Sequence, residues 1–439
     1  MGGFYDHLRI EPDRCPDGCS ACEQACALER GDYSSGRIQA VHIDAVGFHG
    51  LVTCIQCSKP LCANVCPSGA INKSEKDGVV RINEDKCIGC GMCTLECPYG
   101  GVYLDAAKGK AFKCDTCDGK PKCLEACEHD VLSFAKSRAV YSYLHEDIVT
   151  SGNTFCLGCA ADLGFRFMMR VLGRDCIVFG APGCAGTVTG GMMMMMPTKA
   201  AAAFCLMTNV PSVMTGVKRY FQKKGKDVTC VAFVGDGATA DIGFQPLSGA
   251  AERGENLIYV CYDNEGYMNT GIQRSSTTPY GGWTTTTPAT GKGRGKQRTA
   301  KNIPLIMAAH GIPYVATASP GDLEDFARKL VKAKAVKDGL SYIHLFSPCP
   351  TGWRASPDRV IDICRMAVET NYFPLWEMEK GEYRLTRRVK KPKPIQEFTK
   401  LMGRFSHLQE RDYEELQKIV DSRLKVIEGL VRISSDPCS

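Results

Sequence analysis

The clearest strand signal in the chain is residues 228–234 (VTCVAFV), apolar at nearly every position and stopped by Gly235-Asp236-Gly237. A continuous apolar run of that length, ended by glycine, predicts a strand buried on both faces. A helical pattern follows at about residues 244–253. A second apolar run, residues 257–262, leads into Asp263-Asn264. Strand, helix and strand form the crossover unit of a parallel sheet, and such sheets bind ligands at the carboxyl ends of their strands. Residues 313–318 and 341–346 read as further strands around an amphipathic helix with Leu323, Phe326 and Leu330 on its buried face. A charged helix is expected near residues 409–431. The pattern of this part predicts an α/β fold with a parallel sheet.

Two uncharged stretches, residues 177–198 and 200–217, are long enough to raise the question of a membrane span. Both are interrupted by proline, rich in Gly, Thr or Ser, and separated by Lys199, so they read as buried α/β core and no span is expected. The opening MGGFYDHLRIEPDR has charges where a signal core would be apolar, which points to the cytoplasm. A net charge of +6 over 439 residues gives no nucleic-acid signal. The basic run Arg387, Arg388, Lys390, Lys391 and Lys393 reads as a solvated strip, with contact to an acidic partner as the lesser reading.

Cysteine changes the picture. Sixteen of the 26 cysteines lie between Cys15 and Cys127, where a reduced cytoplasmic protein uses them for metal or redox chemistry. They repeat as Cys15-x3-Cys19-x2-Cys22-x3-Cys26, Cys54-x2-Cys57-x4-Cys62-x3-Cys66, Cys87-x2-Cys90-x2-Cys93-x3-Cys97 and Cys114-x2-Cys117-x5-Cys123-x3-Cys127. A tight loop presents three thiolates to one cubane cluster, and the fourth, a helical turn on, points to a neighbouring cluster. Pro67 and Pro98 complete the Cys-Pro ending of bacterial ferredoxin runs. Zinc ribbons need two CxxC pairs per ion and leave the trailing cysteines unexplained.

Residues 1–140 resemble the four-cluster ferredoxin subunits of molybdenum oxidoreductases and of formate or hydrogen enzymes, an α+β polyferredoxin fold. The resemblance implies exchanged fourth ligands. Cys15, Cys19, Cys22 and Cys127 hold one cluster, and Cys114, Cys117, Cys123 and Cys26 the second. Cys54, Cys57, Cys62 and Cys97 hold the third, and Cys87, Cys90, Cys93 and Cys66 the fourth. Such a row is an electron wire and contains no substrate site.

After a linker near residues 141–153 the second domain, residues 150–375, carries different chemistry. Asn264 lies 28 residues after Asp236, at the end of the next strand, so two oxygen ligands can meet one hard cation. Magnesium takes about six oxygens and commonly bridges a diphosphate. Asp236 offers a carboxylate, Asn264 an amide oxygen and Gly266 a backbone carbonyl, while Gly235 and Gly237 allow close approach of the backbone to phosphate. This is the signature of thiamine diphosphate enzymes. Residues 262–288, YDNEGYMNTGIQRSSTTPYGGWTTTTP, closely resemble the β subunits of the pyruvate:ferredoxin oxidoreductase family of 2-oxoacid oxidoreductases.

That resemblance implies that Asn269 touches substrate beside the thiazolium ring; a loop-capping role is the alternative. It also implies a fifth 4Fe–4S cluster held by Cys156, Cys159, Cys184 and Cys349. Unaided, the CxxC of Cys156 and Cys159 also fits a redox dithiol. Here Ala160, Ala161 and Asp162 stand where the family usually has Gly-Glu after the second cysteine.

The implied reaction converts a 2-oxoacid, coenzyme A and an oxidised acceptor into acyl-CoA, carbon dioxide and reduced acceptor. Pyruvate or an aryl 2-oxoacid such as phenylglyoxylate would be the substrate. The implied partners are an α subunit supplying the other thiamine-binding domain and its catalytic glutamate, a γ-type subunit, and ferredoxin or a flavin/NAD-linked subunit as acceptor. Residues 376–439 are expected to form a tail that contacts a partner subunit. Two other readings are a non-redox thiamine decarboxylase and an electron-transfer subunit with a non-catalytic thiamine domain. Cys230 and Cys261 read as core residues, Met192 to Met196 as soft core packing, and none of the eight histidines has an assigned role.

Overall fold

The computed structural model describes residues 5–10, 15–16, 18–29, 36–43, 48–57, 60–129, 131–137, 144–150, 152, 154–187, 198–290 and 294–435. The run Met192 to Met196 and part of the expected linker, residues 141–143, 151 and 153, lie outside them. The chain forms two compact units, Met1–Tyr143 and Leu144–Ser439.

In the first unit the four cysteine motifs share a local plan. The residue just before the second cysteine is left-handed in every one: Gly18 (φ 76°), Gln56 (53°), Gly89 (69°) and Thr116 (65°). This turn folds the loop back so that amide groups face sulfur. The Gln56 and Thr116 N–H groups donate to Cys54 and Cys114 Sγ, each at 3.4 Å. The third cysteine then sits on a short helix, within Ala21–Glu29, Leu61–Asn64, Met92–Glu96 or Lys122–Glu125. The x3 spacing sets the fourth cysteine about one helical turn further on.

Antiparallel hairpins separate the motifs: Ile38–Ile43 with Phe48–Thr53, Ile71–Lys73 with Val80–Ile82, and Val102–Asp105 with Lys110–Lys113. The strands Tyr5–Ile10 and Leu132–Ser137 pair antiparallel and close the unit. Cysteines form much of its interior. Cys22, Cys26, Cys54, Cys114 and Cys123 pack with Leu8, Ile38 and Leu132, and Cys62, Cys87 and Cys93 pack with Ile71, Val80 and Val102.

The second unit is built on one eight-stranded sheet. Its order is Ala201–Phe204, Cys176–Gly180, Thr229–Gly235, Ile258–Asp263, Ser341–Phe346, Tyr314–Ala318, Trp376–Glu379 and Glu382–Leu385. The first six strands are parallel and the last two antiparallel. Ile258–Asp263 and Ser341–Phe346 are buried at every position, as central parallel strands require. The expected strands at 228–234 and 257–262 appear as Thr229–Gly235 and Ile258–Asp263.

The helix expected at 244–253 is Phe244–Glu252. A wider turn, Gly237–Ile242, precedes it, with the Gly243 N–H bonding to the Ala238 carbonyl (2.8 Å). In the helix Leu323–Ala335, Phe326 and Leu330 are buried while Leu323 is half-buried. The expected tail is largely part of this unit. Its two strands extend the sheet, and the helix Glu410–Ser435 buries Leu416, Val420, Ile427 and Val431 in the unit's own cores. Among the described residues, no helix is long and apolar enough to cross a membrane.

The left-handed turn makes a specific demand at Gly89, where a Cβ would stand 2.2 Å from the Gly109 carbonyl oxygen. Gly89→Ala adds that clash to a backbone strain of about 1–2 kcal/mol. If Cys87, Cys90, Cys93 and Cys66 hold a cluster, as the sequence leads one to expect, the variant should lose it, lowering iron content by ~4 atoms per chain in anaerobic iron analysis. Unchanged iron would contradict this account of the loop.

Candidate functional site

The strand order reverses beside Cys176–Gly180. From Cys176–Gly180 the chain runs outward to Ala201–Phe204, and the next strand, Thr229–Gly235, inserts on the opposite side. An open parallel sheet leaves a crevice beyond the carboxyl ends at such a point. A cavity of about 300 Å³ lies there. Gly183 and Cys184 line it from beyond one strand, Gly235, Asp236 and Gly237 from the next, and Asn264, Gly266 and Asn269 from beyond Ile258–Asp263. The three elements that bear the sequence motifs therefore meet around one space. Gly237 is required there, because a Cβ would sit 2.4 Å from the Tyr267 ring.

Asp236 is 1% exposed. Burial, and then the neighbouring Asp263 carboxylate, push its pKa well above the usual carboxylate range. The Thr277 hydroxyl lies 2.9 Å from Asp236 Oδ2 and 2.8 Å from Asp263 Oδ1, so one proton serves two carboxylates. Asp263 has further support. Burial alone would raise it, but the hydrogen bond and charge of His344, with Thr277 and the Glu265 N–H, hold its pKa below the usual value. His344 Nε2 is 2.9 Å from Asp263 Oδ2, and its Nδ1 is 2.7 Å from the Tyr342 hydroxyl. Asp236 is the carboxylate left without a counter-charge.

The Asn264 side-chain oxygen faces Asp236 Oδ1 at 3.0 Å and the Gly266 carbonyl oxygen at 2.8 Å. Three acceptors with no hydrogen between them repel one another. Without a cation, turning the amide would replace that repulsion with two N–H···O bonds. With a cation, the orientation shown is the one a ligand set needs: octahedral Mg²⁺ at ~2.1 Å from its oxygens spaces adjacent ligands by about 3 Å. The donor chemistry and spacing thus fit a hard divalent cation, whose charge would reverse the upward shift at Asp236. In this orientation the Asn264 amide nitrogen is 4.0 Å from Cys184 Sγ.

Cys184 belongs to a thiol group in the same unit. Burial pushes its pKa up to about 12, aided by Cys159, Cys349 and Cys156. Burial likewise pushes Cys159 up to about 12, although the N–H groups of Asp162 and Ala161, at the start of the helix Ala160–Leu172, bond to its sulfur. Gly158, before the second cysteine, has φ 67°, so this loop repeats the turn of the four motifs in the first unit. The Tyr262 hydroxyl accepts from the Ala185 N–H (2.9 Å) and ties the Cys184 loop to the central sheet. The Gly352 N–H donates to Cys349 Sγ (3.3 Å).

Among the described residues no three cysteines stand at ligand distance around one point, yet the thiols that act on one another in the first unit are mostly those the sequence groups together. Burial, then Cys15 and Cys127, push Cys22 up to about 12, with Cys19 adding to them. Cys123 is raised by burial, then by Cys114, Cys26 and Cys117. Cys62 rises to about 11 through burial and then Cys54, with Cys97 and Cys57 contributing. Cys93 is raised by burial, then by Cys87, Cys90 and Cys66. These four thiols are held protonated by desolvation and by neighbouring cysteines, a cost that metal coordination would remove.

Several polar residues around the cavity were not singled out from the sequence. Thr277, Asp263 and His344 form the hydrogen-bonded chain behind Asp236. Glu265, itself left-handed at φ 62°, accepts from the Tyr372 hydroxyl (2.7 Å) and pairs with buried Arg404. Arg404 stacks 3.5 Å over Trp353, whose Nε1 donates to the Asn264 carbonyl (2.8 Å). The signal for Glu265 was its place in the Asp-Asn-Glu run; Arg404 lies 139 residues away and had none.

Fold and site together place three oxygen acceptors suited to a hard cation, and one cysteine, around a cavity at a sheet switch point. Residues 183–345 match the family described as thiamine pyrophosphate enzyme, C-terminal TPP binding domain, and residues 50–137 match the 4Fe-4S dicluster domain. The chain is 42% identical over 440 residues to the NADH-dependent phenylglyoxylate dehydrogenase subunit beta of Aromatoleum evansii, covering 98% of each. It is 46% identical over 283 residues to the pyruvate synthase subunit PorB of Methanothermobacter thermautotrophicus, covering 63% of this chain and 96% of that one. The same identity and length relate it to the ketoisovalerate oxidoreductase subunit VorB of Pyrococcus horikoshii, at 63% and 90% coverage. The chain belongs to the family of thiamine diphosphate-binding β subunits of 2-oxoacid:acceptor oxidoreductases, with a 4Fe–4S ferredoxin-like region ahead of the thiamine domain.

Proposed function

We propose that this chain holds the diphosphate half of thiamine diphosphate through Mg²⁺, together with five 4Fe–4S clusters. It acts within an enzyme that converts an aryl 2-oxoacid, coenzyme A and an oxidised acceptor into acyl-CoA, carbon dioxide and reduced acceptor. The observation that supports this best is that Asp236, Asn264, Gly266 and Cys184 line one cavity. A cation-and-diphosphate site and a cluster ligand on the same wall suit oxidative rather than simple decarboxylation.

Asp236, the Asn264 amide oxygen and the Gly266 carbonyl would hold the magnesium, and Gly235 and Gly237 would let the backbone approach the diphosphate. When bound, the thiazolium ring supplies the electron sink that decarboxylation of a 2-oxoacid needs. Asn269, on the cavity wall, would orient substrate; Phe204, Met207 and Met268 give the same wall an apolar face that suits an aromatic side chain. Thr277 and Asp263 keep Asp236 in position from behind. Cys156, Cys159, Cys184 and Cys349 would hold the cluster that first accepts electrons, and the sets of the first unit would carry them onward. The α subunit would supply the catalytic glutamate, a γ-type subunit would complete the assembly, and the acceptor would be NAD-linked. The aryl substrate and the acceptor rest on the relative that covers the whole chain, named for phenylglyoxylate and NADH.

A panel of 2-oxoacids assayed on the assembled complex with coenzyme A and a viologen acceptor is expected to favour arylglyoxylates over pyruvate in kcat/KM; preference for pyruvate would overturn the substrate reading. Asp236→Ala is expected to lower bound thiamine diphosphate at least about tenfold, the scale on which metal sites respond to lost support, while iron content stays at the wild-type level. Full thiamine occupancy in that variant would place the cation elsewhere.

A further inference from the structure

Lys113 is the one charged side chain that is buried among the described residues of the first unit, at 2% exposure. It ends the strand Lys110–Lys113 and immediately precedes Cys114. Its Nζ donates to the Cys114 carbonyl (2.8 Å), the Val80 carbonyl and Gln56 Oε1 (3.5 Å). Three acceptors around one nitrogen take all three N–H groups of an ammonium, whereas a neutral amine would turn a lone pair toward one of them. Among the described residues no carboxylate forms an ion pair with it.

Gln56 fixes this arrangement. It is 0% exposed and lies between Cys54 and Cys57. Its Oε1 accepts from the Val80 N–H (2.8 Å) and its Nε2 donates to the Cys114 carbonyl (2.7 Å). Its backbone is left-handed, where Gly18, Gly89 and Gly158 serve the equivalent turns without strain. A strained residue persists where its surroundings over-determine it, and here they are the Val80 N–H and the Cys114 carbonyl, the latter also accepting from Lys113.

We propose that the Lys113 ammonium makes the cluster of Cys54, Cys57, Cys62 and Cys97 the most readily reduced of the four in the first unit. The inference rests on the reading that these sets hold 4Fe–4S clusters. Lys113 acts electrostatically on Cys57 and Cys62 of that set, and on Cys114 of the neighbouring one. Charges near the other sets count for less. Arg37 is neutralised by Asp115 (2.6 Å) and Lys122 by Glu125 (3.0 Å). Lys110 reaches the Cys87 carbonyl (2.6 Å) but is partly exposed, where solvent screens it.

Reduction adds one electron and therefore one negative charge to a cluster. A buried, unpaired cation favours that reduced form over the oxidised one. The electron arrives from one neighbouring cluster and leaves to another, with no proton and no other reactant. The wire thereby gains a holding position between donor and acceptor.

The test is a potentiometric titration of the assembled complex, followed cluster by cluster in electron paramagnetic resonance, comparing wild type with Lys113→Met, Lys113→Gln and Lys113→Arg. In wild type one cluster of the first unit should reduce ahead of the others. Removing the charge should cut its reduced-to-oxidised ratio at fixed potential about tenfold, equivalent to 59 mV for a one-electron couple, with smaller changes elsewhere. Lys113→Arg keeps the charge and should keep most of the ratio. Unchanged potentials in Lys113→Met or Lys113→Gln, an equal shift of every cluster, or loss of this cluster from both variants would overturn the proposal. The last result would show a purely structural lysine. Wild-type iron too low for four clusters in the first unit would instead overturn the underlying reading, and the inference with it.

Discussion

Buried negative charge that the polypeptide does not neutralise is the constraint on which this molecule turns. Asp236 stands in the interior beside a second carboxylate and shares one hydroxyl proton with it. Cysteines of all five expected sets include members pushed toward the neutral thiol by desolvation and by neighbouring cysteines. Inorganic cations would answer both problems. Cofactor loading would then favour folding, most of all in the first unit, whose interior is built in large part from cysteine.

The same constraint accounts for the backbone. Thiolates brought together by a short loop need amide groups turned toward sulfur; a left-handed residue precedes the second cysteine in all five loops, and at Gln56 and Thr116 its N–H bonds to the first cysteine's sulfur. Glycine serves at three of them; Gln56 and Thr116 take the strain at the others. At the carboxyl edge of the sheet, the switch in strand order opens the space, and Gly237 keeps it clear of a side chain that would strike Tyr267.

Features governed by short-range spacing were legible in the sequence. The cysteine spacing marked the loops that turn left-handed before the second cysteine, and the strand–helix–strand unit puts Asp236 and Asn264 at adjacent strand ends. Long-range partners were not. His344 meets Asp263 only because Ser341–Phe346 lies next to Ile258–Asp263, a neighbour relation no local pattern encodes. Arg404 reaches Glu265 across 139 residues, and Lys113 reaches Gln56 across 57. The segment past residue 376 looked like a tail because it is charged, yet its sparse apolar positions, Leu416, Val420 and Ile427, suffice to seat its helix on the unit's cores.

The account stands on the link between the cofactor cavity and the cysteine set that shares its wall at Cys184. Cys349→Ser tests that link most directly, because it removes one ligand from beyond the Ser341–Phe346 strand and leaves Asp236, Asn264 and Gly266 untouched. In the assembled complex the variant is predicted to bind thiamine diphosphate, to release or exchange carbon dioxide from the 2-oxoacid, and to form no acyl-CoA, while dithionite still reduces the clusters of the first unit. Wild-type acyl-CoA formation and acceptor reduction by Cys349→Ser would contradict it.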